Sequence, residues 1–172
     1  MLDLALMCLS LNVFHEARGE APEAQLAVAM ATLNRAKGTG QDLCDVVLEP
    51  GQFSWTTTGI QRGEFGWNVT KKGRPVEKKA WRTAQYIARL AMVTPDFTDG
   101  STHYHEANLH PAWAAQKRFV GQWGAHRFYR LTRDIEYIHV REAERETARF
   151  GIELVTWSCF PKECEAAMGP GR

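Results

Sequence analysis

In the stretch NVFHEARGE, residues 12–20, His15, Glu16, Arg18 and Glu20 stand beside Phe14 at the end of an apolar run. A glutamic acid that keeps its proton near neutral pH is what protonating a glycosidic oxygen requires. If the apolar run is a helix that stops near Ala17, Glu16 lies in its last turn, where the partial negative charge of the helix end disfavours a carboxylate. Packing against Phe14 removes water from the same group, so a raised pKa is expected. If the helix continues, Glu16 and Glu20 lie one turn apart, about 5–6 Å between Cβ atoms, near the spacing of paired glycosidase carboxylates. The bland alternative is a solvated helix end in which Arg18 bridges the two carboxylates. Spacing alone leaves both readings open.

The histidines offer a second chemistry. His103 and His105 are two positions apart, so on a strand they face one side, and His15, His110 or His126 could complete a metal site that activates water for amide or peptide hydrolysis. However, HEARG is not HExxH, and no carboxylate stands at a ligand spacing from the pair. The expectation is hydrogen-bonding histidines in a cleft, with no metal and no cofactor. The aromatics Phe53, Trp55, Trp67, Tyr104, Trp113, Trp123, Phe128 and Tyr129 can stack on sugar rings or fill the core. Arg62, Lys71, Lys72, Arg74, Lys78, Lys79 and Arg82 face only Glu64 and Glu77 over 62–82, a local positive surface.

The elements that must position these residues follow from periodicity. Leu2, Ala5, Leu6, Leu9 and Val13 predict a helix over 2–17, with Gly19 as its stop. Pro22 suits a first helical position, and Leu26, Ala29, Met30 and Leu33 share a face before Gly38. Pro50-Gly51 is a turn signal ahead of Phe53 and Trp55. Residues 59–73 have no period and read as a long loop carrying Trp67. A third helix runs from Pro75 through Trp81, Ala84, Ile87, Ala88 and Ala91, closed before Pro95. Over 100–130 loop and short strand are both possible. Beyond it, IEYIHV and IELVTWSCF alternate like strands and REAERETARF reads as helix.

Size and charge narrow the function classes. A chain of 172 residues that is 44% hydrophobic can bury one sizeable core, which predicts one domain. With 21 Lys and Arg against 20 Asp and Glu, no global field draws it to nucleic acid or an anionic membrane. The N-terminal apolar run lacks a basic region and a cleavage site and is too short to span a bilayer. It is expected to be a buried helix, with the chain held in the cytoplasm until released. Cys8, Cys44, Cys159 and Cys164 form no CxxC pair. Cys8 and Cys44 read as buried small apolar residues, whereas Cys159 and Cys164 could pair after export.

Several segments together resemble the cell-wall hydrolases of the spore-cortex-lytic (SleB/CwlJ-type) family: FHEARGE at 14–20, AQLAVAMATLNRAK at 24–37, LCDVVLEPGQFSW at 43–55, HYH at 103–105, PAW at 111–113 and GAHRFYR at 124–130. They occur in the family's order and cover roughly residues 4–130. The resemblance implies an α+β, mainly α, lysozyme/lytic-transglycosylase-like single domain with a small β-sheet. Residues 1–130 would form the family-like core, and 131–172 a C-terminal extension packed on the same domain. It implies cleavage of peptidoglycan glycan strands at N-acetylmuramic acid–N-acetylglucosamine bonds by a monomer, without nucleic acid or stable membrane insertion. The family's catalytic glutamate maps onto Glu16, with Gln52, Phe53, Ser54 and Trp55 on the substrate side and Tyr104 and His126 near the acid. Lytic transglycosylase chemistry needs no second carboxylate; a hydrolytic muramidase would take Glu20 as one. The competing readings are a metal-dependent wall amidase or endopeptidase on His103 and His105, and a non-catalytic wall-binding module. The longer loop 59–74 and the Glu-rich tail 142–165 depart from the family pattern, and a wall hydrolase expected to lack an export signal and a separate wall-binding domain fits a bacteriophage endolysin or a virion-associated enzyme.

Overall fold

The computed structural model describes residues 4–63 and 66–131, without the side chains of 60–67. The expected elements beyond Leu131, the C-terminal extension and the Cys159–Cys164 pairing lie outside the described residues, as does the side chain of Trp67.

Helix α1 (Leu4–Ala17) is buried on nearly every side from Leu6 to Phe14. Helices α2 (Pro22–Thr39), α3 (Leu43–Leu48) and α5 (Lys78–Val93) surround it, and α4 (Thr56–Gly59) is a single turn. Leu9, Val13, Phe14, Ala29, Val47, Ala84, Ile87 and Ala88 form the main core. Inside it, Asn12 donates to the Thr32 hydroxyl at 2.9 Å, so a polar side chain on α1 finds its partner on α2. Pro22 opens α2 at its first turn, where its missing N–H costs nothing. Gly40 closes the helix at φ +68°, a left-handed conformation that glycine adopts without Cβ strain. Helix α5 begins three residues after Pro75, and Thr94 leaves it in extended conformation as the residue before Pro95 must.

Residues 100–130 resolve into a three-stranded antiparallel sheet, β3 (His103–Glu106), β4 (Arg118–Trp123) and β5 (His126–Arg130), in the order β3-β5-β4. A short 3₁₀ helix (Ala112–Gln116) links β3 to β4. Phe128, fully buried, ties the sheet to Ala27, Val28 and Ala31 of α2.

Two expectations are corrected. Residues 59–73 are not one long loop: β1 (Ile60–Gly63) pairs antiparallel with β2 (Gly66–Val69). Strands of four residues carry too few alternations for a period to register. The base of this hairpin is fixed where Thr70 N–H donates to the Gly59 carbonyl at 2.9 Å. A Cβ on Gly73 would run into that same carbonyl, so the close approach requires glycine. Secondly, Cys8 and Cys44 are not separate apolar thiols but a disulfide joining α1 to α3, with Cα atoms 5.3 Å apart. The pairing depends on which faces of two helices meet, and a separation of 36 residues gives no hint of that. Among the described residues, no helix is long and apolar enough to cross a membrane.

Candidate active site

Glu16 stands half-buried in the last turn of α1, on the wall of a cleft of about 290 Å³. Four other pieces of chain complete the cleft: Arg35 of α2, the Gln52-Phe53-Ser54 turn after α3, β3 with the Leu109 loop, and His126 of β5. Of the residues singled out from the sequence, Gln52, Phe53, Ser54, Tyr104 and His126 therefore share one cavity with Glu16.

Burial pushes the Glu16 carboxyl up to about 7. The Tyr104 hydroxyl opposes this, the negative charge of Glu106 adds to it, and Arg35 opposes it again. The desolvation was expected from the sequence, in which Glu106 was not singled out. Tyr104 reaches this position because β3 alternates. Tyr104 and Glu106 face Glu16, whereas the rings of His103 and His105 pack against Trp113, with His105 also bordering the cavity. The Tyr104 ring lies 6.3 Å from Phe53 and 5.5 Å from His126. Its hydroxyl is fully buried next to Asn12 and Glu16 but lacks a partner at good hydrogen-bonding geometry. Burial first, then the Glu16 charge, raise its pKa well above the usual phenol range. The phenol therefore stays protonated at neutral pH beside the Glu16 carboxyl.

His126 is buried, and its Nδ1 has no hydrogen-bond partner among the described residues. Desolvation lowers its pKa, opposed by Glu20 and Glu106 and reinforced by His105. Arg35 donates through Nε to the Thr102 carbonyl at 2.9 Å, and its guanidinium lies 5.8 Å from the Phe53 ring. Arg35 thus brings a positive charge to the cleft wall while it ties α2 to the start of β3.

Of the remaining expected site residues, His15 and His105 also border the cleft, whereas Trp55 and Glu20 do not. Trp55 is a support: it stacks on His15 with centroids 4.5 Å apart. His15, in turn, donates through Nε2 to the Gly73 carbonyl at 2.8 Å, joining α1 to the β1–β2 segment. Burial lowers the His15 pKa, the Gly73 hydrogen bond opposes that, and Arg18 adds to it. Glu20 does not line the cleft. Its Oε2 accepts the Ala125 N–H at 3.2 Å, and the β4–β5 turn at Gly124 approaches it so closely that a Cβ would strike the carboxylate. Arg18 is not bonded to Glu20 either: its Nε meets Glu77 at 2.9 Å and its guanidinium covers Phe14. The solvated Glu16–Arg18–Glu20 network is therefore not the arrangement adopted.

The histidine pair is engaged elsewhere. His105 Nδ1 meets the Glu106 carbonyl at 2.7 Å and its Nε2 the Tyr129 hydroxyl at 3.0 Å. His103 meets the Thr102 hydroxyl at 2.8 Å and Lys117 at 3.3 Å. Burial, Arg35 and Lys117 push the His103 pKa down to about 3. Among the described residues no group of three His, Cys, Asp or Glu side chains has the arrangement of a metal site. Trp113, Trp123, Phe128 and Tyr129 pack within and around the sheet rather than along the cleft.

The chain thus forms a mainly helical domain with a small antiparallel sheet beside its cleft, and one acid of raised pKa stands on the cleft wall. Residues 19–129 match the sequence model of a family described as Cell Wall Hydrolase, and the chain belongs to that family. It is thus an enzyme acting on peptidoglycan. The matched stretch begins at Gly19, so Glu16 lies just ahead of it.

Two solved structures share the fold. The catalytic domain of the germination-specific lytic transglycosylase SleB from Bacillus anthracis superposes with a TM-score of 0.59 at 22% identity, covering 76% of this chain and 97% of that domain. The catalytic domain of the Bacillus cereus SleB protein superposes with a TM-score of 0.53 at 23% identity, covering 76% and 93%. No curated protein matches the sequence significantly.

Proposed function

We propose that this enzyme is a lytic transglycosylase that cleaves glycan strands between N-acetylmuramic acid and N-acetylglucosamine, with Glu16 as its acid and then its base. The observation that carries the reading is the half-buried Glu16 carboxyl, raised to about 7 on the wall of the cleft. An acid of that strength is both protonated and able to give its proton up near neutral pH. Glu16 protonates the glycosidic oxygen, the C1–O bond of the muramic residue breaks, and the electron pair leaves with the N-acetylglucosamine oxygen. The Glu16 carboxylate then removes the proton of the muramic 6-hydroxyl. That oxygen closes on C1, giving a 1,6-anhydro end and restoring the acid without consuming water. Gln52 and Ser54 offer hydrogen bonds to sugar hydroxyls, and Phe53 and Tyr104 offer apolar faces.

The other readings fit the geometry less well. A muramidase built on Glu16 and Glu20 would need the Glu20 carboxylate in the cleft, and it is committed to the Ala125 amide. A metal amidase would need ring nitrogens of His105 that are already hydrogen-bonded on both sides. A wall-binding module has no use for a buried, proton-holding carboxyl. The wall lies on the oxidising side of the membrane, where a bridge such as Cys8–Cys44 persists.

The test is the pair of product and variant. Mass spectrometry of digested peptidoglycan should find muramic ends lighter by one water, as 1,6-anhydro rings. Glu16→Gln keeps the size of the side chain but cannot donate the proton, and should lose about two or more orders of magnitude in rate. Parent-level lysis by a folded Glu16→Gln protein, or muramic ends that are all reducing, would refute the assignment.

A further inference from the structure

The strand that delivers Tyr104 also delivers a second carboxylate to the cleft. Glu106 is the last residue of β3, two positions after Tyr104 and on the same face, and its Cα pairs with that of His126 across the sheet. Its backbone is well held: the carbonyl accepts the Leu109 N–H at 2.9 Å and faces His105 Nδ1 at 2.7 Å. The side chain is exposed and makes no hydrogen bond or ion pair with a described residue. The main chain is thus anchored while the charged head remains available to a bound molecule. Glu16, half-buried on α1, and Glu106, exposed at a strand end, line one cavity in opposite environments. Two carboxyl groups separated in this way suit two different tasks, one proton donor and one anion.

We propose that Glu106 is the second carboxylate of the reaction centre, an anion that stabilises the positive charge developing at the muramic anomeric carbon while Glu16 protonates the leaving oxygen. The inference rests on the transglycosylase reading above and adds a group to it. As the C1–O bond breaks, C1 and the ring oxygen share a positive charge, and an anion on the cleft wall favours that state over the neutral ground state. Glu106 forms no bond and takes no proton. The muramic 6-hydroxyl still closes the ring, and its proton still returns to Glu16. The same negative charge helps Glu16 to keep its proton before the reaction, so one residue serves both halves of the step.

The groups facing Glu16 are Tyr104 and Glu106 from β3 and Arg35 from α2. Those facing Glu106 are Glu16 from α1 and His126 from β5. His105 stands next to Glu106 on its own strand, and Glu20 acts on His126 from beyond the cleft. Removing the Glu106 charge leaves burial alone to oppose Arg35 and Tyr104, so the balance shifts toward the Glu16 carboxylate. The basic limb of the pH–rate profile, where the acid loses its proton, must then move to lower pH.

Parent, Glu106→Gln and Glu106→Asp enzymes are compared on purified glycan strands across pH, with circular dichroism to check folding. Glu106→Gln should lower kcat by about tenfold or more, leave KM near the parent value and shift the basic limb downward. Glu106→Asp, which keeps the charge, should recover part of both effects. A carbon-13 titration of the Glu16 carboxyl without substrate gives an independent reading, with its midpoint lower in Glu106→Gln. Parent-like kcat with an unmoved limb and midpoint, or a rise in KM alone, would overturn the proposal. Failure of the underlying reading has a different signature: Glu16→Gln then lyses at the parent rate, or the parent's own fragments carry reducing muramic ends.

Discussion

Glu16→Gln should inactivate the enzyme and stabilise it, and the stabilisation should depend on pH. In the unfolded chain the Glu16 carboxyl has its ordinary value of 4.5, and in the folded protein it is raised to about 7. Between those values the folded state holds a proton that the unfolded state has released. Stability therefore falls as pH rises through the window, and the full loss is present above about 7. At about 1.4 kcal/mol per pH unit, ionising Glu16 in the folded protein costs about 3 kcal/mol. The net value already contains the opposing contributions of Tyr104 and Arg35.

Glutamine is neutral throughout and carries no such dependence. Urea unfolding of both proteins at about pH 4 and about pH 8 isolates the effect, because the depressed histidines His15, His103 and His126 are common to both and cancel in the difference. The advantage of Glu16→Gln over the parent should be larger at the higher pH by about 3 kcal/mol. It should appear as a shifted midpoint with an unchanged slope, since both proteins bury the same surface. An advantage of equal size at both pH values would mean that Glu16 is not held in its protonated range, and the argument for it as the acid would fail with it.

Other outcomes follow from the same contacts. Reducing Cys8–Cys44, or replacing it as Cys8→Ser/Cys44→Ser, reopens a loop of 36 residues and should cost about 4 kcal/mol on chain entropy, read as a lower urea midpoint. An unchanged midpoint would contradict the bridge. Prolonged EDTA treatment should leave the lysis rate intact, whereas loss restored by zinc would favour the His103/His105 amidase. Lys71, Lys72, Arg74, Lys78, Lys79 and Arg82 are all exposed, so wall binding through this face should weaken with salt as screening shortens to roughly 8 Å. Lys71→Glu/Lys72→Glu binding like the parent at low salt would count against that surface. Below pH 6.5 the folded protein keeps His103 neutral down to about 3 while the unfolded chain takes up a proton. The contribution of His103 to stability should therefore shrink as pH falls through 6.5, so the difference in urea midpoint between His103→Gln and the parent should widen in favour of the variant on acidification.

The three long helices were legible because each carries a repeated face: Leu6, Leu9 and Val13 in α1, Leu26, Ala29 and Leu33 in α2, Ala84, Ile87 and Ala91 in α5. Their stops were legible where Gly or Pro imposes one, although the end of α2 falls at Gly40 rather than Gly38. The strands were not, since β1, β2 and β3 have four residues each and β5 has five. The disulfide and the task of Glu20 were hidden for another reason. Each depends on a partner fixed by packing, Cys44 across the α1–α3 contact and Ala125 at a distance of 105 residues.

Glu106 is different, because its signal was present in HYHE. The alternation that sets His103 beside His105 also sets Tyr104 beside Glu106, and the histidines drew attention to the wrong face of the strand. The face that matters is chosen by what the strand packs against. Phe128 and Val28 bring the sheet onto α2, and this turns Tyr104 and Glu106 toward the end of α1. The property that makes Glu16 useful thus has two sources that sequence separates and folding joins. Part comes from the α1 residues around it, which a local reading finds. The rest comes from a tyrosine hydroxyl, a guanidinium and a carboxylate carried in by β3 and α2. A local motif can therefore mark which glutamate holds the proton, while the pH at which that proton is lost is set by the chain that closes over it.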